Sequence, residues 1–193
     1  MDDSASRARI ERAAYELFSR HGIRAVGVDT IAAKAGVAKR TLYKHYPSKD
    51  ELAIAFLRRR EELWARGWLQ ADVQQRARTP GGQLLAIFDV FDQWFRRADF
   101  EGCPIIKAML DHDRGHPVRN AAAGHLATVR MFVRKLASNA GVSDADGLAH
   151  QWQLLMKGSI VSACEGDQDA ARRAKELGLL LLAREGIALQ SNA

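Results

Sequence analysis

Between Val28 and Tyr46 the chain compresses two amphipathic segments of seven or eight residues around one glycine, and few folds tolerate that arrangement. Val28, Ile31, Ala32 and Ala35 recur at helical spacing on one face, and the small side chain of Ala32 lets a second helix come close. Gly36 permits a sharp turn, Val37 plugs its corner, and Leu42 and Tyr46 return the second segment to the same core. The spacing predicts helices over residues 28–35 and 39–46 that meet as a helix-turn-helix.

The same period runs through the rest of the chain. Ile10, Ala13, Ala14, Leu17 and Phe18 predict a helix from Ser4 to His21, ended by Gly22. Ser48 with Glu51 three residues on makes a capping box that opens a long helix to about Gln70. Further helices are expected over residues 82–97, 104–113, 117–139, 143–165 and 167–189, punctuated by Pro80-Gly81-Gly82, Gly102, Gly115-His116-Pro117 and Gly141. No alternating run of strand length competes with them, and no repeat of fixed period occurs. The expected fold is all-α with about nine helices. A three-helix N-terminal domain over residues 1–52, its helix-turn-helix at about 27–46, precedes a larger helical domain over 53–193.

At 193 residues, with 47% hydrophobic and 27% charged side chains, the chain can build one or two cores, which excludes a disordered or fibrous protein. Its longest uncharged stretches, such as Asn120 to Val129, are about half of the roughly 20 residues a membrane-crossing helix needs. The first twenty residues carry charges throughout with no apolar block, so no secretory signal is expected and the chain is placed in the cytoplasm. Cys103 and Cys164 stand far apart without any Cys/His cluster, which gives no disulfide framework and no zinc finger; they read as packed small side chains.

The net charge of +6 is segregated: residues 1–60 hold 13 Lys/Arg against 7 Asp/Glu, while residues 61–193 hold 16 of each. A positive end of this kind suits a polyanion such as nucleic acid or anionic lipid. On a helical wheel Arg40, Tyr43 and Lys44 point away from Leu42 and Tyr46, with Lys39 and Thr41 on the flanks. That outer face has hydrogen-bond donors and no acid. It suits the DNA major groove, where Arg or Lys can reach guanine O6 and N7. Tyr43 and Lys49 are expected at phosphates, Lys49 because it opens the fourth helix, where free N–H groups attract anions.

From Arg7 to Leu52 the sequence resembles the N-terminal domain of the TetR (tetracycline-repressor-like) transcriptional regulators. The resemblance is carried by Ala13 to Phe18, by Ile31-Ala32-Ala33-Lys34-Ala35-Gly36-Val37, by Thr41-Leu42-Tyr43-Lys44-His45-Tyr46, and by Ser48-Lys49-Asp50-Glu51-Leu52. It implies that Lys39, Arg40, Thr41 and Lys44 read bases while Tyr43 and Lys49 grip the backbone. Two positions depart from the pattern. Gly27 and Val28 stand where many members have Ser or Thr to cap the second helix and touch a phosphate, a role Thr30 is expected to take. Tyr46 replaces a common Phe, adding a hydroxyl that could bond a phosphate.

The resemblance also implies that the charge-neutral remainder binds a small, mostly apolar effector and dimerises. Trp64, Trp68, Phe91, Met109, His125 and Trp152 are the candidate effector-lining residues, with ordinary core as the competing reading. The last two helices carry Trp152, Leu154, Leu155, Ile160 and Val161, then Leu177, Leu179 to Leu182, Ile187 and Leu189; they either close the monomer core or meet their copy across a two-fold axis. Together these imply a homodimeric, sequence-specific DNA-binding transcriptional regulator, a repressor released from a palindromic operator by its effector. No catalytic residue, metal or cofactor is expected. The alternative from another class is a helical enzyme or metal protein, for which Asp111-His112-Asp113-Arg114-Gly115-His116 is the best ligand-like cluster. A solvated helix end accounts for that cluster better. A membrane-surface role for the basic first helix is opposed by the commitment of its apolar face to the core.

Overall fold

The first helix is made by a single apolar stripe. In the computed structural model, which describes residues 3–187, α1 (Asp3–His21) buries Ile10, Ala13, Ala14 and Phe18 along one side and ends where Gly22 donates its N–H to the Phe18 carbonyl. α2 (Val28–Ala35) and α3 (Lys39–His45) follow. Between them Gly36 adopts the left-handed conformation, with φ of 62°, and its N–H bonds the Ala33 carbonyl while that of Val37 bonds the Ala32 carbonyl. This paired closure satisfies the last carbonyls of α2 and turns the chain sharply, at a backbone angle that glycine reaches without strain. α1 packs on α2, α3 and α4. Phe18, Ile31 and Leu42 are fully buried where they meet, each contributing roughly 1.5–3 kcal/mol of apolar burial.

Ser48 caps α4 (Lys49–Glu61) by accepting the Glu51 N–H at 3.1 Å, as the capping box predicts. The helix expected to stop at Gln70 instead continues. It winds as a π-helix over Glu62–Leu69 and resumes as α5 (Gln70–Arg76). Counting that run as one rod, the described residues form nine helices, the others being α6 (Pro80–Phe95), α7 (Pro104–Asp111), α8 (Pro117–Asn139), α9 (Ala145–Cys164) and α10 (Ala170–Arg184). The last helix starts three residues later than its apolar pattern suggests, because the Asp167 carboxylate accepts the Asp169 N–H and holds a turn there. It also ends at Arg184, short of the expected Leu189, because Gly186 turns left-handed with its N–H on the Ala183 carbonyl and that of Ile187 on the Leu182 carbonyl; residues 188 and 189 lie outside the described residues.

The chain divides into two compact units: residues 1–62 with 103–126, and residues 63–102 with 127–193. These follow a different line from a division at residue 52. In the first unit Ile105 and Ala108 of α7 and Val118 and Ala122 of α8 join the core of α1 to α4. The Arg24 guanidinium also donates to the Asp111 carbonyl at 3.1 Å. In the second, α10 lies against α9 and α6, and Lys175 bridges both carboxylate oxygens of Asp89 at 2.6 and 2.8 Å. Trp152 is fully buried there against Phe88, ring centroids 5.5 Å apart.

Gly178 is what lets α10 come so near: a Cβ at that position would stand 2.8 Å from the Trp152 ring and 3.3 Å from that of Phe88. Alanine would gain up to about 1 kcal/mol of helix propensity but would overpack a rigid ring, at a cost of about 1–3 kcal/mol. Gly178→Ala is therefore expected to lower unfolding stability by roughly 1–2 kcal/mol in chemical denaturation. A gain in stability would show that the Trp152 contact does not fix this residue.

Candidate nucleic-acid interface

Because Leu42 is fully buried and Tyr46 is 5% exposed, α3 has one side committed to the core and the opposite side left to solvent. Lys39, Arg40, Tyr43 and Lys44 are exposed on it, Thr41 is half-buried at its edge, and Thr30 is exposed on α2. Seven of the eight candidate residues thus keep access to solvent, with Lys49 half-buried at the start of α4. Its ammonium donates to the Arg24 carbonyl at 3.3 Å, and burial lowers its pKa from the ordinary lysine value.

Tyr46 is placed otherwise. Its hydroxyl donates to the Glu11 carboxylate, which also accepts from Arg7 Nε at 3.0 Å, and the Arg7 guanidinium lies 5.6 Å from the Tyr46 ring centre. Burial and the bond to Glu11 push the phenol up to about 12. Burial opposes the charge on Glu11, but the hydrogen bonds from Tyr46 and Arg7 hold its carboxyl below the usual range. The residue belongs to the packing of α1 on α3. The sequence could not show this, since the partners are 35 residues apart.

The outer face of α3 is also less purely cationic than its own sequence suggests. Lys39 Nζ lies 2.9 Å from Asp29 of α2, and Lys44 Nζ lies 2.8 Å from Asp3 of α1. These pairings raise the pKa of Lys39 through its hydrogen bond to Asp29, and lower that of Asp3 through its bond from Lys44. Arg40, between the two lysines, pairs with none of the described residues. The start of α2 carries no side-chain cap at Gly27, so its first N–H groups are open as well.

The candidate effector residues divide between the two units. Trp64, Trp68 and Phe91 adjoin in the second unit, ring centroids 5.6 and 6.0 Å from Trp64, and Trp152 joins them through Phe88. The indole N–H groups of Trp64 and Trp152 are buried without a hydrogen-bond partner. Met109 and His125 belong to the first unit, Met109 against its core and His125 donating from Nδ1 to the buried Glu61 carboxylate. In the 111–116 cluster, His112 and His116 stack at 4.7 Å, His112 bonds the Ala108 carbonyl, and His116 faces Asp50 at 3.5 Å. Among the described residues no three His, Cys, Asp or Glu side chains converge as a metal site would require, and no helix is long and apolar enough to cross a membrane.

An amphipathic helix held by a tight turn, its outer side carrying Arg, Lys, Thr and Tyr, defines a helix-turn-helix DNA-binding protein. Residues 10–56 match the model of the bacterial regulatory proteins of the tetR family. The fold is similar to that of a putative TetR transcriptional regulator from Streptomyces avermitilis, at 29% identity with a TM-score of 0.83 over 95% of this chain and 99% of that one. A TetR-family regulator from Streptomyces coelicolor superposes at 28% identity and a TM-score of 0.79, covering 94% and 96%. Among curated proteins, the HTH-type transcriptional regulator YjdC of Escherichia coli is 24% identical over 84% of this chain and 87% of its own length. The HTH-type transcriptional activator FasR of Mycolicibacterium smegmatis is 42% identical over 45% of this chain and 40% of its own. Residues 10–56 thus match the TetR-family DNA-binding model, and over most of its length the chain is similar to helix-turn-helix and TetR-family transcriptional regulators.

Tyr46→Phe separates core from interface. Losing a charge-assisted bond to Glu11 should cost about 1–2 kcal/mol of stability near neutral pH. Because the folded Glu11 pKa is depressed, that difference should be present above the acid range and fade as pH falls through the folded value. DNA affinity and its salt dependence should stay at wild-type levels, and a flattened salt slope would return the hydroxyl to the phosphate backbone.

Proposed function

We propose that this regulator binds a palindromic operator as a homodimer, represses transcription from it, and leaves it when a small, mostly apolar molecule occupies the helical part beyond residue 52. The observation that carries the reading is the solvent face of α3, where Arg40 stands exposed and pairs with none of the described residues, flanked by the exposed Lys39 and Lys44. In this assignment Arg40, Lys39, Thr41 and Lys44 read base edges, and Tyr43, Thr30 and Lys49 hold phosphates. The protein acts where the DNA is, in the cytoplasm.

A two-fold dimer would present two recognition helices to successive major grooves, about 34–36 Å apart. Support for α9 and α10 as its interface comes from their second apolar face: Leu154 is 71% and Leu180 67% exposed, with Val161 and Leu177 about half so, although Trp152, Ile160 and Leu182 are buried on the inner side. Support for the effector role of Trp64, Trp68, Phe91 and Trp152 comes from the two orphaned indole donors, since an unpartnered buried N–H costs about 1–3 kcal/mol that an acceptor on a ligand would recover. Met109 and His125 lie in the first unit, where His125 is engaged by Glu61. Release would be a population shift, the effector favouring a spacing of the two recognition helices that no longer fits the grooves, with a coupling of about 1–3 kcal/mol. A putative transcriptional regulator from Saccharomonospora viridis with a similar fold, TM-score 0.72, is described in complex with choline, so a protein of this fold holds a small molecule. Repression is the sign proposed here, though FasR is described as an activator and a Streptomyces coelicolor relative, 41% identical over 31% of this chain, as a repressor.

Substitution distinguishes readers from clamps. Arg40→Ala should cost about 1–3 kcal/mol of operator affinity and relax preference at one base position, while Lys49→Ala should weaken binding to all sequences alike and flatten the salt slope by about one unit. Base-by-base competition titrations across a salt series would record both. The opposite pattern would exchange the two roles.

A further inference from the structure

Two helices outside the recognition helix send carboxylates to its lysines. Asp29, in the first turn of α2, holds Lys39 at 2.9 Å, and its other oxygen lies 3.2 Å from the same ammonium. Asp3, opening α1, holds Lys44 at 2.8 Å. The same Asp3 oxygen lies 3.5 Å from Nε2 of His45, a buried imidazole nitrogen without a hydrogen-bond partner. All four paired side chains keep half or more of their surface in solvent, from 53% for Lys39 to 78% for Asp29. Exposed pairs of this kind add little to stability, so folding does not explain them. Their position does suggest a role: both acids stand beside the surface that would meet a polyanion.

We propose that Asp3 and Asp29 are specificity-determining residues, internal counter-anions that mask Lys44 and Lys39 and weaken binding to DNA of arbitrary sequence. The proposal rests on α3 being the helix that meets DNA. Non-specific binding draws almost all its free energy from cations that neutralise phosphates and release condensed counterions. A lysine already neutralised by a carboxylate releases fewer, and displacing that carboxylate leaves an acid next to the phosphate backbone. A specific site offers base edges as well, to Arg40, which pairs with none of the described residues, and to the ammonium donors that Lys39 and Lys44 do not give to their carboxylates. The acids therefore penalise the wrong duplex more than the right one, which is how repulsive elements produce specificity.

The test uses the full-length protein with Asp3→Asn, with Asp29→Asn and with both. Each is titrated by fluorescence anisotropy against a random duplex and against a duplex enriched by the wild-type protein, across a salt series. On random DNA each substitution should raise affinity roughly 3- to 10-fold at about 100 mM salt and steepen the slope of log K against log salt by about 0.9 per protomer. The gain on the enriched duplex should be at least threefold smaller, so that discrimination falls. In a Lys39→Gln background the effect of Asp29→Asn should disappear.

Unchanged or weakened random-duplex binding by either variant, with an unaltered circular dichroism melt, would overturn the proposal. So would an Asp29→Asn gain that persists without Lys39, since a general change of charge would then suffice. A melt that drops on Asp29→Asn would reveal a helix-capping role, and the Lys39→Gln background then decides, because a capping effect persists there and masking does not. Failure to enrich any duplex contradicts the sequence-specific function proposed above, whereas the random-duplex titrations still read the masking; absence of binding to any duplex overturns both.

Discussion

The left-handed turn at Gly36 is the constraint on which the DNA-binding end depends. By bonding back to Ala33 and passing Val37 on to Ala32, it closes α2 and launches α3 at a fixed angle within three residues. That angle drives Leu42 into the core of α1, α2 and α4 and leaves the opposite side of α3 in solvent, where Asp29 and Asp3 reach its lysines and Arg40 pairs with none of the described residues. The exposed Arg40 is thus a consequence of packing as much as of charge. A residue with a Cβ would have to pay for the same backbone angle, and α3 would swing with any relief of that strain.

The rest of the first unit stiffens this arrangement rather than adding to the surface. Tyr46, Glu11 and Arg7 tie α3 to α1 through a partly buried, charge-assisted network. Lys49 and Arg24 form a chain of carbonyl contacts from α4 to the loop before α2 and on to the end of α7. Through α7 and the start of α8, residues distant in sequence share a core with the recognition helix, so side chains such as Ile105 and Val118 contribute to the same packed unit as Leu42. In packed cores small displacements are transmitted rather than absorbed, so a change at α7 or the start of α8 would be felt at α3.

What was legible in the sequence was local. Ser48 with Glu51, Gly22, and the prolines that open α6, α7 and α8 fix helix ends within a few residues, and their signals lie next to the structure they make. The helix-turn-helix was legible for the same reason, its glycine and both apolar faces falling within nineteen consecutive residues. What was not legible depends on partners far along the chain. Tyr46 finds Glu11 and Lys44 finds Asp3 only after α1 has folded back on α3, at separations of 35 and 41 residues. The π-wound Glu62–Leu69 carries an apolar pattern that reads as ordinary helix, and the packing of Trp64 and Trp68 against Trp94 emerges only when α6 is in place. Asp29 and Lys39 are an intermediate case: ten residues apart across a recognisable turn, they could have been paired by asking which side chains a helix-turn-helix brings together.

Whether α3 reads sequence as one half of a symmetric pair is decided by selecting bound duplexes from a random pool at near-physiological salt. The expected result is enrichment of a palindrome with half-sites about one helical turn apart, bound at least ~10³-fold more tightly than scrambled DNA. Enrichment of no motif, with wild type and Arg40→Ala recovering the same sequences, would contradict it.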